Sequence, residues 1–432
     1  MTNTPSAPDA ADAAEISAPV AAATLPTLRR RIQAVLIASQ ILGGLGIAIG
    51  VALAAVLAKE VSGTEALSGL ASTATVAGPA LLAMPLASLM GSRGRRPGLV
   101  LAYLVGALGA GVVVLGAVVD NFPLLLAGLV GFGAGSSANL AARFAAADLA
   151  EPDRRGRAIS TVVWATTIGA VLGPNVAAPA GESVAGVGIP ATAGPFVWAA
   201  GVFLVAAVVV ALLLRPDPLL TARALSGAEE NEAAAEGRSL RAGMRAVRES
   251  SRARLALVTV AVSHTAMVSI MSMTPVALSH HGAGIQLIGL VISGHIAGMY
   301  AFSPVMGWLS DRLGRLTVIG LAVGLLSVAA LLAGTAGPSH GQTAAGLFVL
   351  GLGWSAGLVS GSALLTDSVP QAARAAVQGL SDFTMNTAAG VGGLAAGLIV
   401  ARAGYGWLNL VGACLLLPMA ALAVRGAVRR PA

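Results

Sequence analysis

The ten residues Gly307-Trp-Leu-Ser-Asp311-Arg312-Leu-Gly314-Arg315-Leu316 repeat, in altered form, a stretch 220 positions upstream, Ala87-Ser-Leu-Met-Gly91-Ser-Arg-Gly94-Arg95-Arg96. Each copy ends a hydrophobic run with a glycine turn and basic residues, and another hydrophobic run follows at once. The same offset returns further on: Gly131-Phe-Gly133 and Gly351-Leu-Gly353 are also 220 apart. Asp148 followed by Arg157 has its counterpart, at a slightly smaller offset, in Asp367 followed by Arg374. One half of the chain therefore reads as a copy of the other.

Composition says what is duplicated. The 432 residues are 56% hydrophobic and only 10% charged, with a mean hydropathy of +0.83, far from the mix of a soluble domain. The charges collect between apolar stretches of about 20 residues or more, enough for a helix to cross a bilayer core. An open strand edge in lipid would leave backbone groups unpaired, so these stretches read as helices. Spans are expected near 32–57, 66–90, 97–119, 122–147, 158–180 and 192–214, then near 255–279, 285–309, 316–336, 341–365, 375–401 and 405–425. The expected fold is an all-α membrane protein of twelve transmembrane helices in two pseudo-symmetric six-helix bundles. Prolines within spans (Pro79, Pro85, Pro174, Pro275, Pro304) are tolerated where neighbouring helices satisfy the freed backbone groups.

Arginines set the orientation. Arg29 to Arg31, Arg93, Arg95, Arg96, Arg154, Arg155, Arg157, Arg312, Arg315, Arg374, Arg425, Arg429 and Arg430 fall on one side of the expected topology, against Lys59 and Arg402 on the other. The positive-inside rule makes that side cytoplasmic, with both termini and the central linker. The net charge of +7 follows from this topology and does not point to nucleic acid. Residues 1–28, rich in Ala, Pro and Thr, read as a disordered cytoplasmic tail and not as a secretory signal. Residues 29–214 and 255–425 are the two bundles, and 426–432 a second tail. Residues 215–254 form a polar linker in which Glu229, Glu230, Glu232 and Glu236 precede Arg238, Arg241, Arg245, Arg248, Arg252 and Arg254. Those arginines share a helical face suited to anionic lipid heads, or else simply to water.

Two such bundles with this loop motif resemble the major facilitator superfamily, over residues 29 to 425. The resembled loop pattern is Gly-x-x-x-Asp-Arg-x-Gly-Arg-Arg/Lys. Gly307, Asp311, Arg312, Gly314 and Arg315 fit it, while the first copy keeps only Gly94, Arg95 and Arg96, with Gly91 in place of the acid. The resemblance implies a gating role for these loops. It also implies a substrate site near the midplane between the halves, reached alternately from each side as the halves rock. Gly169-Ala-Val-Leu-Gly173-Pro174 in the fifth span resembles a motif of drug:proton antiporters and so implies export. Small residues four apart allow close helix packing, for which Gly289, Ser293 and Ala297, or Gly294 and Gly298, of the eighth span offer a matching strip. Ordinary packing would use the same residues and leave the direction open.

The single lysine, Lys59, follows Ala58, so no phosphate-loop pattern exists, which leaves an ion gradient or simple facilitated diffusion as the drive. Of the 19 acidic residues only Asp382 sits clearly within a span. A carboxylate there is costly to hold charged, which suits proton exchange, although capping or pairing a helix end is an equal alternative. Arg143 is its candidate counter-charge, in competition with Asp148 and Asp367, and Asn386 lies one turn along the same face. His264 and His295, about ten residues into their spans, compete as proton carriers or serve as neutral packing residues. His280 and His281 fall in an outer loop, where two adjacent histidines without further ligands are only weak evidence for a metal site, and none is expected. His264, Met267 and Met271 share one face of the seventh span. With Gln40, Asn139, Trp354 and Asn386 they are the candidate cavity residues, since the resemblance implies that spans one, four, seven and ten line the cavity.

Cys414 is the only cysteine, so disulfides within the chain and thiolate clusters are excluded. No cofactor and no enzymatic activity is expected. The functional expectation is a monomeric, proton-coupled exporter of small apolar or amphipathic molecules in a bacterial plasma membrane, its partners being substrate, protons and the lipid bilayer. An importer or symporter of a small polar solute, or a sensor that transports nothing, is the alternative.

Overall fold

A computed structural model describes residues 10–64, 67–184, 186–225 and 240–428. Among them every regular element is a helix. The first bundle comprises α1 (Ala10–Ser62), α2 (Ser68–Arg93), α3 (Arg95–Val118), α4 (Phe122–Asp148), α5 (Arg155–Glu182) and α6 (Gly194–Leu213). The second comprises α7 (Ser251–His280), α8 (Gln286–Leu313), α9 (Arg315–Gly334), α10 (His340–Asp367), α11 (Arg374–Ala403) and α12 (Tyr405–Arg425). Eleven membrane-length apolar helices run without a sharp break among the described residues, and α5 makes a twelfth across a 48° bend between Gly173 and Asn175. Polar side chains start several of them. Asn121 accepts from the Leu124 N–H, Ser250 from Ala253 and Ser339 from Gln342, each satisfying an amide that the first turn leaves free.

Both copies of the repeated motif do the same backbone work. Gly94 and Gly314, at φ 92° and 89°, end α2 and α8, and an arginine begins the next helix. A side chain at such a φ is strained, hence glycine. Gly94 is also crowded, since a Cβ there would lie 2.5 Å from the carboxylate of Asp217.

The helix α1 extends back to Ala10, within the segment whose composition reads as a tail; residues 1–9 lie outside the described residues. So does the whole acidic stretch of the linker, within 226–239, together with Arg238. The remaining arginines do not form one continuous face. Arg241, Arg245 and Arg248 lie on a short helix, Leu240–Glu249, whereas Arg252 and Arg254 belong to α7, which Ser250 separates by capping.

The halves meet where α2 packs on α11 and α5 on α8. Contact is closest at the arginine-rich end. A Cβ on Gly379 would lie 2.2 Å from that of Ala87, and one on Gly307 would lie 2.5 Å from the carbonyl oxygen of Gly156. Toward the other end, Gly289 and Gly294 of α8 and Gly390 and Gly397 of α11 have open space where a Cβ would stand. The molecule is thus closed at its arginine-rich end and splayed at the opposite one.

Candidate functional site

Closure rests on a network of charges spanning the halves. Asp311, at the end of α8, accepts from the backbone N–H groups of Gly156 and Arg157, both at 2.9 Å, so its carboxylate caps the N-terminus of α5 in the other half. The free amides and the dipole of a helix start favour an anion there. Arg315 pairs with Asp311 and with Asp367 and donates to the Pro152 carbonyl at 2.7 Å, while Arg155 also pairs with Asp367. Arg312 instead turns outward, with its guanidinium 5.2 Å from the Trp308 ring centroid. Gly156 has no room for a side chain, because a Cβ would lie 2.7 Å from Asp311 Oδ1.

The first copy is built differently. Gly91 faces Ala375 at the start of α11, with 3.6 Å between the methyl of Ala375 and a Cβ built on Gly91. The acid is missing on one side and the glycine on the other. Arg95 substitutes for that contact: fully buried, it holds Asp148 through Nε at 2.7 Å and Nη2 at 3.2 Å, and bonds Gln378 of α11 across the interface. The Arg96 N–H donates to Asp217 at 2.7 Å, and Arg223 donates to the Gly91 carbonyl at 2.9 Å.

Behind this closure lies a cavity of about 530 Å³ between the halves. Gln40, Asn139, Arg143, His264, Met267, Met271, Trp354 and Asn386 all stand on its wall. Arg143 Nη2 donates to Asp382 Oδ1 at 2.6 Å, joining α4 to α11 in a buried ion pair. The competition for Arg143 is thereby resolved, because Asp148 is taken by Arg95 and Asp367 by Arg155 and Arg315. Asn386 does not reach the Asp382 carboxylate as its position on the helix suggests; its amide donates to the Asp382 backbone carbonyl at 2.7 Å.

The two histidines separate. His264 is on the cavity wall and accepts at Nδ1 from Trp354 Nε1 at 2.9 Å. His295 is fully buried away from the cavity, with Nδ1 2.7 Å from the Leu347 carbonyl oxygen, a bond that ties α8 to α10. Its place in mid-span carried no information about which face it occupies. The glycines of the fifth span also find a different partner from the strip expected on the eighth. Cβ atoms on Gly169 and Gly173 would lie 2.3 Å from Leu45 N and Ala48 Cβ, so both pack on α1, and Gly298 packs on α10. Pro174 lies at the bend of α5.

Several participants escaped the sequence reading. Tyr300 and Met299 reach the wall from a π-helical turn, Ala297–Ala301, which rotates the register of α8 and leaves no mark in a hydropathy pattern. Tyr300 meets Trp354 edge to face at 5.5 Å between centroids. Thr166 takes the Gln40 amide at 2.7 Å. Gln378, one turn before Asp382 on α11, takes Arg95 across the interface. No cluster of metal-ligating side chains occurs among the described residues.

The chain matches the profile of the Major Facilitator Superfamily over residues 35–287 and 256–432. It is 39% identical over 394 residues, 90% of each chain, to the uncharacterized MFS-type transporter YdeG of Bacillus subtilis. It is 28% identical over 396 residues to the riboflavin transporter RfnT of Brucella anthropi, covering 92% of this chain and 94% of that one. Among solved structures it is similar in fold to the transporter FucP in the outward conformation, with a TM-score of 0.74 at 16% identity, over 93% of this chain and 99% of that one.

Proposed function

The chain belongs to the major facilitator superfamily, and from that premise we propose that it is a proton-coupled secondary exporter of small apolar or amphipathic molecules, working by alternating access. The observation that carries the coupling is the buried Arg143–Asp382 pair, which joins the halves beside the cavity. A proton on Asp382 removes the charge that holds Arg143, and with it an attraction that crosses the interface. Such a pair can therefore link protonation to the separation of the halves. Asp311 on the start of α5 latches the arginine-rich, cytoplasmic end, so the conformation described faces outward. Export is the direction that the resemblance of Gly169-Ala-Val-Leu-Gly173-Pro174 to the drug:proton antiporter motif implies.

The test is accumulation of fluorescent amphipathic compounds, riboflavin among them on account of the relative from Brucella, in bacterial cells expressing the chain. Lower accumulation that a proton uncoupler abolishes is the expected result. Higher, uncoupler-sensitive accumulation would reverse the direction and make the protein a symporter. Asp382→Asn should abolish the effect of the uncoupler, and unchanged coupling in that variant removes Asp382 from the mechanism.

A further inference from the structure

The cavity wall also carries a pattern of unmet hydrogen bonds. Arg143, 1% exposed, uses only Nη2 for Asp382, and its Nε and Nη1 have no partner. Gln40, 4% exposed, gives its amide to Thr166 but leaves its carbonyl oxygen unpaired. Buried polar groups are rarely left in this condition, and both residues line the cavity. Two donors and an acceptor thus stand unmet just behind the wall, for a ligand that draws these side chains toward it to answer.

Charge narrows the choice. Asp382 balances Arg143, and His264 accepts a hydrogen bond at Nδ1. That nitrogen therefore carries no proton, and the imidazole is neutral. A permanently charged ligand would place an uncompensated charge in this balanced pocket, at high desolvation cost. The remaining wall is aromatic and thioether: Trp354 and Tyr300 at right angles, with Met267, Met271 and Met299. Flat rings pack well on such edges and sulfurs.

Resting on the reading of this cavity as the substrate site, we infer that it takes an uncharged aromatic molecule bearing an amide or lactam head. The head's carbonyl accepts from Arg143, its N–H donates to the Gln40 carbonyl, and the ring system lies against Trp354 and the methionines.

Equilibrium dialysis of the purified full chain in lipid nanodiscs tests this with five probes: 2-naphthamide, 2-naphthoate, 2-naphthylmethylammonium, cyclohexanecarboxamide and 2-ethylnaphthalene. The naphthamide should bind at least about tenfold more tightly than each of the others, the difference that one hydrogen bond to a buried partner makes. Gln40→Leu should reduce the preference for 2-naphthamide over 2-ethylnaphthalene by about tenfold. Equal or tighter binding of the acid or the ammonium overturns the inference, and this comparison needs no variant to fold. Loss of the ranking alongside intact uncoupler-sensitive efflux overturns the ligand class and leaves transport standing. The ranking kept in a protein that moves nothing supports the ligand class and tells against transport.

Discussion

Replacing Asp311 by Asn isolates the latch with almost no change in shape. The carboxylate takes two backbone N–H groups at 2.9 Å, those of Gly156 and Arg157, in addition to its pairing with Arg315. Asparagine keeps one acceptor oxygen and turns an amide toward the second N–H, so at least one charge-assisted bond is lost. Such bonds contribute about 1.5–3 kcal/mol each. Taking about 2–3 kcal/mol for the loss, the balance between closed and open forms at the arginine-rich end shifts by about 30- to 150-fold. A reporter is available in Ala147, which is fully buried in a cluster shared with Leu358 and Val359 of the second half. With the exposed Cys414 changed to Ser, maleimide labelling of Ala147→Cys measures the open fraction in membranes. Asp311→Asn should raise that rate by the same factor. Gly91→Asp, beside Ala375 and away from this network, should change it much less. An unaffected rate in Asp311→Asn, or the opposite order of the two variants, would refute the argument that one latch dominates.

Gly156→Ala should open the same end as Asp311→Asn, since its Cβ falls 2.7 Å from both Asp311 Oδ1 and the Gly307 carbonyl; cysteine labelling at position 147 as slow as in the parent would contradict this. Arg143→Gln or Asp382→Asn alone should each cost about 3–5 kcal/mol by stranding a buried charge, and the double variant should recover much of the loss. Denaturant unfolding in detergent measures the cycle, and additive losses would mean that the two charges are not coupled. His295→Leu should lower stability by about 1 kcal/mol through the bond to Leu347 while leaving transport intact, whereas His264→Leu should alter transport more than stability. The reverse pattern in paired melting and efflux assays would exchange the roles assigned to the two histidines.

The architecture was legible because lipid makes hydropathy decisive. A segment must be apolar over about 20 residues to span, and no other signal competes with that length. The cavity residues Gln40, His264, Met267, Met271 and Trp354 could be picked because few polar or soft side chains interrupt the spans. Partners were harder to read. Arg143 had three candidate acids, and only the folded structure shows that other arginines hold Asp148 and Asp367 and leave Asp382 to it. The glycines of the fifth span fit a strip on the eighth as well as α1, on which they pack, because small residues allow close approach without naming the helix that approaches.

Hydropathy, the 220-residue repeat and the arginine asymmetry thus required two matched six-helix bundles and pointed to an orientation, since each depends on local composition and on the lipid around it. Which helix faces which depended on tertiary packing. Asp311 reaches a helix start 155 residues away, Arg95 crosses to Gln378 over a separation of 283, and a π turn in α8 brings Tyr300 to the cavity. Those outcomes are set by how two bundles dock and by the register within one helix, and both arise from contacts among residues distant in the chain, which no local pattern encodes.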